Sequence, residues 1–185
     1  MIDQHIRSYY FRYFGTEFPT VSQKLRIPIE LKYLIILRKT KIYERSILGL
    51  VLKFRLRHLS LKTHIQISHV TNIGYGFYIG HFGRIIINPK TQIGNNVNIS
   101  TGVVIGKSNR GKLEGYPKIS DNVWIGPNAC IIGNILIGSN VLIAPNSYVN
   151  IDIPPDSVVI GNPCVIHPNK DATTGYLNNT YLIKF

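Results

Sequence analysis

The chain has 185 residues, of which 44% are apolar, a length and composition typical of one domain with a buried core. It contains no run of about 18 uncharged apolar residues, which argues against a membrane-spanning helix. Charges near the N-terminus argue against a signal peptide, so the sequence predicts a cytoplasmic protein. Two cysteines, Cys130 and Cys164, do not make a disulfide framework.

The formal net charge of +12 is unevenly distributed. Residues 1–62 hold 13 of the 21 Lys and Arg residues but only 4 of the 9 Asp and Glu residues. Such charge attracts nucleic acid, anionic lipid or a polyanionic substrate such as a nucleotide cofactor or an acidic glycan, and it also suits a solvated helical face. No known nucleic-acid-binding motif accompanies it, so we predict no nucleic-acid partner.

Residues 1–62 are predicted to form a basic, mainly helical region. Pro28 is placed to begin one helix, and Ser46 is a plausible N-cap for a second. Four apolar residues lie on one side of the second helix: Ile47, Leu50, Val51 and Phe54. We expect this region to pack against the rest of the chain or a neighbouring subunit. A basic amphipathic helix also binds membrane surfaces, so peripheral membrane contact stays open.

Isoleucine or valine returns at every sixth residue through the middle of the chain. The longest unbroken run is Ile119, Ile125, Ile131, Ile137, Ile143 and Val149. A second register of mostly small or aliphatic residues follows four positions behind: Val123, Ala129, Ile135, Val141 and Ser147. A period of six is neither the 3.6 of a helix nor the two of a strand. It is typical of a hexapeptide β-helix, whose stacked coils share one aliphatic core.

The repeat is interrupted twice, and function tends to concentrate at such breaks. Hexads begin near Ile67, and their register slips by two residues after Gly80-His81-Phe82-Gly83. The second break is the glycine-rich, cationic loop 106–118, which contains Lys107 and Arg110. We therefore divide the chain into a helical region (1–62), a β-helix (63–166) with a protruding loop, and a polar tail (167–185).

Five segments of the β-helix resemble the serine acetyltransferase family of hexapeptide-repeat acyltransferases, together with relatives of the colanic-acid acetyltransferase type that O-acetylate capsular or exopolysaccharide building blocks. The segments are IGYGFYIGH (73–81), VVIG (103–106), YPKI (116–119), VWIG (123–126) and PPDSVVIGNP (154–163). The likeness extends over about residues 60–166.

This resemblance implies a left-handed parallel β-helix that assembles as a trimer, with acetyl-CoA between adjacent prisms. It also implies that His81 is the general base that takes the proton from an acceptor hydroxyl as its oxygen attacks the thioester. An imidazole suits this role because it titrates near neutral pH. The transfer is direct, without an acyl-enzyme, and no metal is implied.

The site departs from the family pattern around the acceptor. Gln66 stands where the family usually has a carboxylate that orients the histidine, so a neutral amide would take that role. Gly80 and Tyr116 replace the Asp and His that grip serine in serine-specific members. Together with Asn88, these two residues are our candidates for acceptor binding. We therefore expect a sugar hydroxyl of a glycan, a lipid-linked glycan or a nucleotide sugar as acceptor, with serine as the alternative.

The resemblance places acetyl-CoA against small residues of the coils and the basic loop. The pantetheine arm is expected to meet Gly106, Gly126, Pro127, Ala144 and Pro145. The CoA phosphates are expected to meet cations of the loop through charge-assisted contacts: Lys107, Arg110 and Lys112.

Two functions of other classes use the same fold. A γ-class carbonic anhydrase needs three convergent zinc ligands, and His64, His69 and His81 are the candidates. However, these histidines cluster at the first coil rather than on neighbouring turns of the middle coils. A non-catalytic β-helix scaffold is the other alternative, kept open by the missing carboxylate at Gln66.

Overall fold

The computed structural model describes residues 3–183. Within this range four helices come first: α1 (Gln4–Phe14), α2 (Val21–Leu25), α3 (Ile29–Ile42) and α4 (Ile47–Thr63). The two predicted helix starts are correct. Pro28 immediately precedes α3, and the Ser46 hydroxyl caps α4 by accepting the N–H of Gly49 at 3.2 Å.

The hexads form 15 short strands: β1 (Ile65–Ile67), β2 (Asn72–Ile73), β3 (Tyr78–Ile79), β4 (Ile85–Ile87), β5 (Gln92–Ile93), β6 (Asn98–Ile99), β7 (Val104–Gly106), β8 (Lys118–Ile119), β9 (Val123–Ile125), β10 (Cys130–Ile132), β11 (Leu136–Ile137), β12 (Val141–Ile143), β13 (Tyr148–Val149), β14 (Ser157–Ile160) and β15 (Val165–Pro168). Each coil contributes strands to three parallel sheets in turn. The first sheet runs β1-β4-β7-β10-β13, the second β2-β5-β8-β11 and the third β3-β6-β9-β12-β14. β15 adds to the third sheet in antiparallel orientation.

Aliphatic ladders fill the interior of this β-helix, as the period of six predicts. In the third sheet, Ile79, Ile99, Ile125, Ile143 and Val159 stack directly above one another, and all are buried. One coil alone cannot shield these side chains from water. The coils stacked above and below each side chain complete its burial. The two-residue register slip is taken up in the turn that contains His81.

Helices α1 and α3 cover the first coil through buried polar contacts. The Tyr13 hydroxyl donates to the Ile79 carbonyl at 2.7 Å, and the Arg38 guanidinium donates to the Ile73 carbonyl at 2.9 Å. Both carbonyls belong to the last residues of strands in the first coil, where no further coil supplies a hydrogen-bond donor. The helices therefore provide hydrogen bonds to carbonyl groups at this end of the β-helix.

Within this chain, helix α4 packs through a side other than the one formed by Ile47, Leu50, Val51 and Phe54. Leu52, Leu56 and Leu59 are buried against the core. The predicted apolar side is exposed within this chain: Ile47, Leu50, Val51 and Phe54. Within residues 3–183, no helix has the length and apolar character needed to cross a bilayer.

The C-terminal segment folds back along the third sheet. The Trp124 and Tyr176 rings lie 4.9 Å apart, and Asn96 exchanges two hydrogen bonds with the backbone of Tyr181 at 2.8 and 3.1 Å. Tyr181 also meets Phe11 of α1 edge-on at 5.9 Å. The polar tail therefore joins the helical region to the coils.

Candidate active site

The turn that carries His81 is held by backbone bonds on both sides. The Gly80 N–H donates to the Ile99 carbonyl and the Gly83 N–H donates to the Thr63 carbonyl, both at 3.0 Å. Gly83 adopts φ = 142°, and a Cβ there would lie 2.2 Å from the Thr101 hydroxyl oxygen, so only glycine fits. The His81 side chain is exposed on this fixed turn.

A carboxylate from the helical region reaches the same turn. The Glu30 side chain, in the first turn of α3, accepts the backbone N–H of Phe82 at 3.1 Å. This contact fixes the residue directly after His81. Sequence reasoning missed it because Glu30 lies 52 residues away, and nothing local distinguishes it from a solvent-facing acid at a helix start.

His81 lies beside a cavity of about 460 Å³, termed the His81 cavity. The aromatic side chains of Tyr78, Trp124 and Tyr176 line it, together with polar side chains from the coils and the C-terminal segment: Asn98, Ser100, Asn178 and Asn179. Gly80, one of the predicted acceptor-binding residues, also lines the cavity. Such a mixture of apolar walls and a few polar groups is typical of small-molecule sites.

Arg12 of α1 completes the wall of the His81 cavity. Its side chain is buried, with one guanidinium nitrogen (Nη2) bonded to the Asn98 side-chain oxygen. Its guanidinium carbon lies 5.6 Å from the centroid of the Tyr78 ring. Burial lowers the pKa of Arg12 to about 10. No local pattern distinguishes Arg12 from the other cations of the basic N-terminal region.

Strand register aligns Gly80, the residue before His81, with two of the predicted cofactor residues. The residues that directly follow the third sheet's strands stack in successive coils as Gly80, Ser100, Gly126 and Ala144. We call this column, together with the residue that follows each member in the chain (His81, Thr101, Pro127 and Pro145), the His81 edge. At about 4.8 Å per coil, the column extends roughly 14 Å from Gly80 to Ala144.

At the four predicted cofactor positions of the His81 edge, the backbone N–H groups are already used or missing. Gly126 donates to the Ile143 carbonyl and Ala144 donates to the Val159 carbonyl, both at 2.8 Å. Pro127 and Pro145 have no N–H. These four positions therefore offer a pantetheine arm a flat wall rather than free backbone donors.

The other predicted residues lie apart from His81 within one chain. Gln66, Asn88 and Gly106 line a second cavity of about 460 Å³ along the first sheet, termed the Gln66 cavity. No hydrogen bond joins Gln66 to His81 in the described part of the chain. The single chain thus presents two groups of candidate residues on different parts of its surface.

The protruding loop lies beside the second group. Lys107 lies 5.8 Å from the centroid of the Tyr116 ring and Lys90 lies 5.3 Å from it. Ser108 and Gly115 close the loop with a pair of backbone bonds at 3.1 Å, and Arg110 is exposed at its tip. These cations are free to meet an anion near Tyr116.

The histidines near the first coil do not converge on one point. His69 contacts Glu44 at 3.4 Å, and His64 is the left-handed C-cap of α4. Across residues 3–183, no group of three or more His, Cys, Asp or Glu side chains is arranged to hold a metal ion.

Comparison with known proteins first defines the class of repeat. Residues 116–150 match the family described as bacterial transferase hexapeptide (six repeats). This matched segment includes Tyr116 and, on the His81 edge, Gly126-Pro127 and Ala144-Pro145.

The more specific similarity is to serine acetyltransferases. The chain is 34% identical to serine acetyltransferase 3, mitochondrial, of Arabidopsis thaliana over 128 residues, covering 69% of this chain and 32% of that protein. A serine acetyltransferase from Neisseria gonorrhoeae, solved in complex with serine, has a TM-score of 0.68 and 28% identity, covering 89% of this chain and 66% of that one. A serine acetyltransferase solved in complex with CoA has a TM-score of 0.70 and 25% identity, covering 88% and 66%.

The chain spans about a third to a half of the length of the curated relatives it matches. These relatives are named serine acetyltransferases, whereas we expected the nearest character to be that of exopolysaccharide acetyltransferases. The β-helix with a preceding helical region is the fold of the serine acetyltransferase structures.

Proposed function

We propose that the protein is an acetyl-CoA-dependent O-acetyltransferase with His81 as its general base. The observation that carries this proposal is the His81 edge. It places an exposed histidine directly after Gly80, which begins a column of small residues, next to a cavity that suits an acceptor. The serine acetyltransferase relatives, including one solved with CoA, support the same chemistry.

The reaction is a direct acyl transfer. His81 takes the proton of the acceptor hydroxyl as its oxygen attacks the thioester carbonyl of acetyl-CoA. The carbon–sulfur bond then breaks, and the CoA sulfur leaves as a thiol after receiving a proton. An O-acetyl ester and free CoA are the products. Acetyl-CoA is a co-substrate, and the mechanism requires no metal.

We infer that two chains build one site, as expected for the predicted homotrimer. The His81 edge holds the base and the pantetheine wall. The second group (Gln66, Asn88, Gly106, Lys107, Arg110 and Tyr116) lies elsewhere on the same chain. A neighbouring copy related by a rotation axis brings its second group to the His81 edge. Lys107 and Arg110 then meet the CoA phosphates.

The relatives' names favour serine as the acceptor, and they support our alternative better than our main expectation. A sugar hydroxyl is the second candidate, favoured by two observations. The residue before His81 is Gly80, which has no carboxylate to bind the ammonium group of serine. Tyr78, Trp124 and Tyr176 also give the His81 cavity the aromatic faces on which sugar rings pack.

The first experiment measures thiol release from acetyl-CoA with serine and with a panel of sugars and nucleotide sugars. We expect turnover on one acceptor class, and a loss of roughly 100-fold or more in kcat for His81→Ala, the range for removing a general base. His58→Ala is the matched control, because His58 is an exposed histidine on α4 away from the site. The absence of both turnover and CoA binding would overturn the proposal.

A further inference from the structure

We propose that the His81 cavity binds an acceptor carrying an acidic group, a carboxylate or a phosphate, and that Arg12 selects for this group. The inference rests on the proposed acetyl transfer and names the acceptor's chemical class. It applies to an amino acid, whose carboxylate would be recognised, and equally to an acidic or phosphorylated sugar.

The first observation is that the Arg12 guanidinium is only partly bonded. The residue is 4% exposed, and its Nη2 donates to the Asn98 side-chain oxygen. Its Nε and Nη1 atoms are buried and have no hydrogen-bond partner among the residues that the structure describes. Buried polar groups are nearly always bonded in folded proteins, so two free guanidinium nitrogens indicate a missing partner.

The second observation is that, within residues 3–183, no carboxylate balances the Arg12 charge. Asp3 lies beside His5 and Glu44 beside His69, and no carboxylate of residues 3–183 is paired with the Arg12 guanidinium. At neutral pH Arg12 remains a cation, since burial lowers its pKa only to about 10. A buried cation without a counter-charge is costly, and an acidic ligand offsets that cost through charge-assisted hydrogen bonds.

The third observation is the composition of the rest of the His81 cavity. None of its lining residues is an Asp or Glu, so nothing in the wall repels an anion. The Asn178 amide and the Ser100 hydroxyl can donate hydrogen bonds to ligand oxygens, and the Asn179 amide, which directs one N–H to the Arg12 carbonyl at 3.4 Å, keeps a second N–H. Even at a distance, a cation in a low-dielectric wall attracts an anion that enters the cavity.

His81 and Arg12 line the same cavity, so one acceptor molecule can contact both residues. An acceptor whose acidic group faces Arg12 presents its remaining hydroxyls toward the rim where His81 stands. Arg12 therefore acts on acceptor binding, whereas His81 acts on the proton. The two roles separate in kinetics, because the loss of Arg12 raises KM for acidic acceptors and leaves KM for acetyl-CoA unchanged.

The test compares acceptors in acidic and neutral pairs: serine against serinamide, glucuronate against glucose, and glucose 1-phosphate against methyl glucoside. We expect the acidic member to have a kcat/KM roughly 10- to 100-fold higher in at least one pair, the range for one charge-assisted contact. The pair that shows the preference distinguishes an amino-acid carboxylate, a sugar carboxylate and a phosphate. Equal use of acidic and neutral members in every pair would overturn the proposal.

Three variants separate charge from structure. Arg12→Gln is expected to abolish the preference, and Arg12→Lys to retain part of it. Asn98→Asp keeps Arg12 but pairs it internally with a new carboxylate, so it should also abolish the preference even where Arg12→Gln fails to fold. Thermal melting identifies the folded variants. A preference that survives in folded Arg12→Gln or Asn98→Asp would contradict the role of Arg12.

A binding readout keeps this inference distinct from the proposed function. Trp124 is the only tryptophan in the chain and lines the His81 cavity, so its fluorescence reports ligands there. We expect serine, glucuronate or glucose 1-phosphate to change it, and the change to vanish in Asn98→Asp. If no acceptor releases thiol but an acid still binds through Arg12, the enzymatic proposal fails and the anion site stands. If thiol is released but no acid binds, the enzymatic proposal stands and the anion site is refuted.

Discussion

At the residue scale, the structure supplies a carboxylate that the sequence lacks at its expected place. Gln66 stands where related enzymes are expected to have an acid, and it lines a different cavity from His81. Glu30 instead accepts the N–H of Phe82, next to His81. A charged acceptor fixes the turn more firmly than a neutral one, because hydrogen bonds to ions are the stronger kind.

Glu30 is therefore predicted to be a positioning residue. Glu30→Ala should lower kcat by about tenfold, because it removes the hydrogen bond that fixes the His81 turn. The KM for acetyl-CoA should not change, because Glu30 is not one of the residues expected to bind acetyl-CoA. Glu30→Gln should keep most of the activity, because its side-chain oxygen accepts the same N–H. Steady-state kinetics give the answer, with Glu44→Ala as the matched control. If Glu30→Ala kept wild-type kcat, the turn would not depend on Glu30.

At the element scale, α1 is attached to the coils by a neutral histidine. The His5 ring stacks on Tyr75 at 4.0 Å, and the Ser8 hydroxyl accepts the N–H of Gly76 at 2.8 Å. Burial, assisted by the nearby Arg38 cation, lowers the pKa of His5 to about 4, although Asp3 opposes the shift. The folded chain therefore resists protonation at His5.

This predicts a loss of stability in mild acid. Because the folded pKa lies below the unfolded value near 6.5, the unfolded chain binds more protons between them. The stability that neutral His5 contributes should be complete above about pH 6.5 and should fall as the pH drops toward 4. Thermal melting across this range measures it, and His5→Phe should flatten that part of the profile. An unchanged profile in His5→Phe would contradict the assignment.

Helix α4 has a second apolar side with basic borders. Leu50, Phe54 and Leu61 are exposed opposite the buried Leu52 and Leu56. At 100° per residue, cations lie on both borders of this stripe: Lys53 and Arg57 on one, Arg55 and Lys62 on the other. No Asp or Glu occurs between Glu44 and Glu114. This arrangement is typical of helices that lie in an anionic membrane surface.

We therefore expect the protein to sediment with vesicles that contain anionic lipid and not with neutral vesicles. Phe54→Asp should abolish sedimentation, because Phe54 is 75% exposed at the centre of the stripe. Leu182→Asp is the matched control, at 78% exposure in the C-terminal segment. Sedimentation that survives Phe54→Asp would refute membrane contact through α4. Self-association that Phe54→Asp disrupts would instead assign the stripe to a contact between copies.

At the scale of the whole molecule, the division of the candidate site predicts complementation between chains. The His81 edge and the second group, which includes Lys107 and Tyr116, do not meet within one chain. If neighbouring copies share each site, two differently inactivated chains restore activity when mixed. A site confined to one chain cannot be restored in this way.

The experiment mixes His81→Ala chains with chains carrying Lys107→Ala and Tyr116→Ala, followed by unfolding and refolding together. Random assembly should return about a quarter of wild-type activity, because one site in four then combines two intact halves. Either variant refolded alone is the control. Light scattering on the wild-type chain should give the mass of a trimer. No recovery from a properly assembled mixture would place the whole site within one chain.

Much of the fold could be predicted from the sequence because its determinants are local and periodic. The rungs from Ile119 to Val149 repeat at every sixth position, and each is buried as predicted. The helix starts at Pro28 and Ser46 depend on residues within one turn. The side on which α4 packs was harder to predict, because two opposite sides of that helix are apolar and only the neighbouring elements decide which is covered.

The sequence by itself determined the β-helix, its two breaks and His81 at the first of them, because period and turn chemistry act over a few residues. Only the tertiary structure decided what surrounds His81. Arg12 meets Asn98 across 86 positions of the chain, Glu30 meets Phe82 across 52, and Tyr176 meets Trp124 from a segment without any period. Such contacts are made when distant segments bury one another, and no local pattern encodes that partnership.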